Sequence, residues 1–76
     1  MKKLIAFIVE HITGSTDFSV KETENDGHTE LEIIASKDII GLIIGKEGKT
    51  IRSIRNILKV RAVLEKASFN LTVLEK

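Results

Sequence analysis

With 76 residues, no cysteine and no proline, the chain has room for one domain and not two, and neither a disulfide framework nor a cysteine-based metal site can brace it. A hydrophobic fraction of 42% is that of a globular chain and excludes a disordered tail, so the sequence predicts a single folded domain over residues 1–76. The formal net charge of +1 conceals an uneven distribution: Lys46, Lys49, Arg52, Arg55, Lys59 and Arg61 face Glu47 alone, whereas the acids concentrate between Asp17 and Asp38.

The N-terminal run Met1-Lys2-Lys3-Leu4-Ile5-Ala6-Phe7-Ile8-Val9 resembles a signal peptide, but Glu10 and His11 end it early and no small-residue cleavage site follows. Leu4, Ile5, Ile8, Val9 and Ile12 recur on one helical face, and Thr13-Gly14-Ser15 supplies a stop, which predicts a helix over about 2–13. No apolar run is long enough to cross a bilayer, so a cytoplasmic protein without a membrane role is expected.

Phe18 and Val20, then Leu31 and Ile33, alternate with polar residues as strands with one wet face do. Asn25-Asp26-Gly27 between them suits a tight hairpin. Glu22, Glu24, Glu30 and Glu32 read as a solvated acidic sheet face rather than paired catalytic carboxylates.

Ser36 is a candidate N-cap for a short helix towards Ile44. Gly45-Lys46-Glu47-Gly48 interrupts, and helical spacing resumes from Lys49 or Thr50 to about Lys66. This long helix carries two apolar stripes. Ile51, Ile54, Leu58 and Ala62 form one, and Ile57, Val60 and Leu64 the other, which is either buried under the first helix or a candidate dimer interface. Phe69, Leu71 and Val73 alternate with Asn70 and Thr72 as a last strand. The order αββααβ, with a two-helix crossover from second strand to third, predicts an α+β two-layer domain with a three-stranded mixed sheet and helices on one face.

Glycine at 45 and 48 permits backbone angles closed to other residues and close approach of another backbone. Gly48 stands at the entrance of a helix whose first N–H groups and dipole favour an anion, and Lys46, Lys49 and Arg52 add positive charge nearby. Ile43-Ile44-Gly45-Lys46-Glu47-Gly48-Lys49-Thr50-Ile51 resembles the core motif of KH domains, and the elements ahead of it are similar to the type II KH arrangement. At this length the chain resembles the small stand-alone bacterial KH proteins of the KhpA (YlqC) family. The resemblance implies a clamp on single-stranded RNA made by Gly45, Lys46, Glu47 and Gly48, with Lys49 and Arg52 beside phosphates. It places Ile40, Ile43, Ile44 and Ile51 in the groove wall or the core behind it, and Asn70 and Thr72 where they offer hydrogen bonds to bases. It also implies self-association or pairing with another KH protein, and a role as RNA chaperone or post-transcriptional regulator.

Glu47 is unfavourable beside a phosphate, since like charges repel. Gly48-Lys49-Thr50 imitates the end of a phosphate loop, but Ile43 stands where that motif needs its first glycine. His11 and His28 are separated and lack a ligand cluster, so no metal, cofactor, small-molecule substrate or enzyme activity is expected. The rival reading is a protein-interaction subunit with weak or no RNA binding, motivated by Glu47 and the small net charge.

Overall fold

The structure is a computed structural model that describes all 76 residues. Its elements run α1 (Lys2–Thr13), β1 (Phe18–Asn25), β2 (His28–Ala35), α2 (Lys37–Ile44), a single 3-10 turn (Lys46–Gly48), α3 (Lys49–Leu64) and β3 (Ser68–Glu75). This is the expected αββααβ order. The sheet order is β1-β2-β3, with β1 antiparallel and β3 parallel to the central β2.

Local chemistry accounts for the boundaries. Gly14, at φ 68°, closes α1 in the left-handed conformation and donates its N–H to the Glu10 carbonyl, while the Thr13 hydroxyl donates to the Val9 carbonyl at 2.8 Å. Asp26 and Gly27 both have positive φ, 50° and 78°, the condition for a two-residue hairpin whose twist matches its strands. Ser36 occupies the N-cap position of α2, but its hydroxyl makes no capping hydrogen bond. Helix α3 stops two residues before the expected Lys66. There the N–H groups of Lys66 and Ala67 donate to the carbonyls of Val63 and Ala62, a Schellman closure in which Lys66 takes the left-handed position at φ 54°.

The pairing register assigns the faces. Val20, Ile33 and Val73 lie side by side across the sheet, as do Glu22, Leu31 and Leu71, on the side that faces the helices. The core is one cluster of Ile5, Val9, Leu31, Ile33, Ile43, Ile54, Leu58 and Leu71. Residues 54, 58 and 62 form the buried stripe of α3 because four-residue steps stay on one helical face.

One expectation is corrected here, and one open alternative is decided. Glu22 and Glu24 pair with Leu31 and Thr29, whereas Glu30 and Glu32 pair with Thr23 and Lys21. The four acids are therefore divided between opposite faces of the sheet by its period of two, not gathered on one. The second stripe of α3 is not covered by α1: Ile57, Val60 and Leu64 are exposed, and so is Val63 beside them.

Candidate nucleic-acid interface

Where α2 ends, Gly45 has φ 73° and ψ 178°, a combination that residues with a side chain essentially do not adopt. A Cβ there would stand 2.2 Å from Thr50 Oγ1 and 2.7 Å from Thr50 Cβ. Glycine is thus required twice over, by the backbone angles and by the way the start of α3 folds back on the loop. Gly48 differs. Its φ of 72° is left-handed, but the nearest atom to an added methyl would be Ile51 Cγ2 at 4.0 Å, so only backbone strain opposes a side chain. Between them Glu47 also sits left-handed, at φ 57° and ψ 25°.

These angles turn the chain sharply into the head of α3, where the Gly48 N–H donates to the Gly45 carbonyl and the Lys49 N–H to the Lys46 carbonyl. Gly48 is its N-cap and brings no side-chain acceptor, and the first turn contains no acid. With these N–H groups taken up by the turn, what this end presents to an anion is chiefly the positive pole of the helix dipole. Lys46 and Lys49 are on either side, and Arg52 is exposed one turn on. Glu47 is exposed as well, the one acid in the loop.

The groove-wall residues separate by helical phase. Ile43 is wholly buried in the core, on the same side as Ile39, and so lies behind the groove and not in its wall. Ile40 and Ile51 are half-buried and Ile44 is exposed, which keeps them at the surface beside the loop.

Alongside α3 runs a cleft of about 510 Å³ in which Arg52, Arg55, Asn56 and Lys59 face Phe69, Asn70 and Leu71 of β3. β3 is a sheet edge, and Arg55 Nη2 donates to the Leu71 carbonyl oxygen at 3.3 Å. Asn70 lines this cleft and Thr72 does not, although the register sets both on the same sheet face, beside Glu30 and Glu32. Sequence reasoning does not single out Arg55, Asn56, Lys59 and Phe69 as contacts. The signal it offers is the row of Arg52, Asn56 and Lys59 at three- and four-residue steps, which by itself marks no more than a polar, basic helix side.

Elsewhere, His28 Nδ1 lies 2.7 Å from Ser68 Oγ and Nε2 lies 2.9 Å from Glu30 Oε1. This row spans two strands on the outer face, lines neither cleft, and leaves the His28 and Glu30 side chains largely in solvent. No group of three or more His, Cys, Asp or Glu side chains is placed to hold a metal ion, and no helix is long and apolar enough to cross a membrane.

A glycine-bracketed turn joining two helices, laid over a mixed sheet of this order, defines a KH domain. The domain is of the bacterial type: the chain belongs to the KhpA/KhpB KH-domain family, whose model matches residues 2–73. It is similar to the RNA-binding protein KhpA of Chlamydia trachomatis, 32% identical over 77 residues that cover 100% of this chain and 99% of that protein. The RNA-binding protein KhpA of Thermotoga maritima is 31% identical over 58 residues, 76% of this chain and 73% of that one. That of Halalkalibacterium halodurans is 26% identical over 76 residues, covering 99% of this chain and 100% of the relative.

Proposed function

We propose that residues 1–76 act as one KH unit that clamps a short stretch of single-stranded RNA through Gly45, Lys46, Glu47 and Gly48, with Lys49 and Arg52 neutralising phosphates. One observation carries this reading: the glycine angles at 45 and 48 set the positive end of α3, which has no side-chain cap, between two lysines. Phosphate contacts of this kind position a strand without reading its sequence. The names of the relatives, each an RNA-binding protein, support the same ligand class. The work is binding without covalent chemistry, in the cytoplasm, as an RNA chaperone or post-transcriptional regulator.

The test is Lys46→Asp together with Glu47→Asp, titrated against a mixed single-stranded RNA pool at two salt concentrations. Asp tolerates the left-handed angles of position 47, so the loop keeps its shape while its net charge goes from zero to about −2. Wild-type binding should weaken steeply with salt, and the double variant should lose at least about ten-fold in affinity at low salt. Equal binding by the folded variant removes the clamp.

A second reading, compatible with the first, is favoured by α3. Ile57, Val60, Val63 and Leu64 are between 46% and 76% exposed on one helix. Contiguous aliphatic surface of this kind on a small protein marks an interaction site. A second copy of this chain is its partner in this reading. Arg61 and Glu65, which pair with each other at the end of the helix, lie beside the stripe. Sedimentation of wild type and of Val60→Glu at high micromolar concentration decides it: a dimer that the variant dissolves supports pairing, and a wild-type monomer ends it. A dimer only with another KH protein moves the interface to a mixed pair.

A further inference from the structure

We propose that the Glu47 carboxylate accepts a hydrogen bond from a ribose 2′-hydroxyl and so makes the glycine loop prefer RNA to single-stranded DNA; this rests on the RNA-binding reading above. Glu47 is exposed in the loop, between Lys46 and Gly48. Although Lys46 and Lys49 are close to it in the chain, it takes part in no ion pair. Nor does its side chain make a hydrogen bond within the protein.

Nothing inside the molecule accounts for a side chain at this position. With φ 57° and ψ 25° the backbone is left-handed, a conformation that glycine takes freely and glutamate takes under strain. The carboxylate adds a second penalty, because it repels the phosphates that Lys46, Lys49 and Arg52 attract. A strained residue in a binding loop, charged and without an internal partner, points to a partner outside the chain.

Chemistry narrows that partner. An ionised carboxylate only accepts hydrogen bonds, and a phosphodiester offers only acceptors. Along the sugar-phosphate chain the 2′-hydroxyl is the one donor, and DNA lacks it. Consecutive phosphates are separated by a ribose, and Glu47 stands in the chain between the two lysines assigned to the backbone. The same carboxylate then acts differently on the two polymers. To DNA it contributes repulsion alone, whereas on RNA a charge-assisted hydrogen bond offsets that repulsion. The discrimination comes from weakening the wrong ligand as well as holding the right one.

Amino and imino groups of the bases also donate, and they are separable because a base is the same in both polymers. The experiment is fluorescence anisotropy with the intact chain and three eight-nucleotide strands that all carry uracil: the ribo strand, its 2′-deoxy form and its 2′-fluoro form. The ribo strand should bind at least about five-fold tighter than the deoxy strand. The 2′-fluoro strand keeps a ribose-like sugar pucker without a donor and should bind as the deoxy strand does. A carboxamide at position 47 would keep an acceptor, so the variant that removes it is Glu47→Gly, which takes the left-handed angles without strain. It should bring the ribo and deoxy affinities within about two-fold of each other. Equal wild-type affinities for those two strands, a 2′-fluoro strand that binds like the ribo strand, or an RNA preference that survives in Glu47→Gly each overturn the assignment and leave the clamp standing. Binding to none of the three strands overturns both.

Discussion

Gly45 and Gly48 share a sign of φ but not a reason for being glycine. Alanine at 45 meets Thr50 and an unfavourable backbone region together, and should cost about 1–3 kcal/mol from the backbone alone, with further loss as Thr50 is displaced. Alanine at 48 meets open space and should cost only about 1 kcal/mol of left-handed strain. Urea denaturation of the two variants should rank them in that order. Glu47→Gln removes the one acid from the loop and should tighten RNA binding a few-fold at low ionic strength, an effect that fades as salt is raised. At this scale the sequence is legible where a residue type is itself the signal, as with the two glycines. It is not legible for Ile40, Ile43 and Ile44, which are chemically identical and differ only in helical phase. Nor can spacing reveal Arg55, whose position depends on a carbonyl sixteen residues away.

Among the elements, α3 carries most of the consequence. One stripe anchors the core, a second is bare, and its basic side walls the cleft. Its C-terminal closure holds Lys66 in a conformation that suits glycine, so Lys66→Gly should stabilise the protein by about 0.5–1 kcal/mol, read as a higher denaturation midpoint with unchanged slope. Arg61 and Glu65 pair on the last turn of the same helix, and the Arg61 hydrogen bond holds the Glu65 carboxyl below its ordinary range. A depressed carboxylate favours the folded state at neutral pH, and that contribution is lost as pH falls through its folded value. Element type and order are readable from periodicity alone: two for the strands, nearly four for the helices. What periodicity cannot settle is which of two apolar stripes is covered, because that depends on where α1 lands.

In the whole molecule only 11 of 76 residues are buried, so each large core side chain carries an unusual share of stability. Leu58→Ala, in the centre of the cluster, should cost about 2–5 kcal/mol and leave a substantial unfolded population, visible as a loss of helical circular dichroism at ambient temperature. The mixed sheet is foreseeable from the crossover. The division of acids over both sheet faces is legible as well, since a period of two puts Glu22 and Glu24 on the face of Phe18 and Val20, and Glu30 and Glu32 on the face opposite Leu31 and Ile33.

The placement of β3 has a consequence in time. Its partner is β2, 40 residues earlier, and every backbone bond between them waits for α2 and α3 to be made first. During translation the hairpin emerges well before Ser68–Glu75, so a nascent chain exposes the unpaired edge of β2 until the last strand arrives.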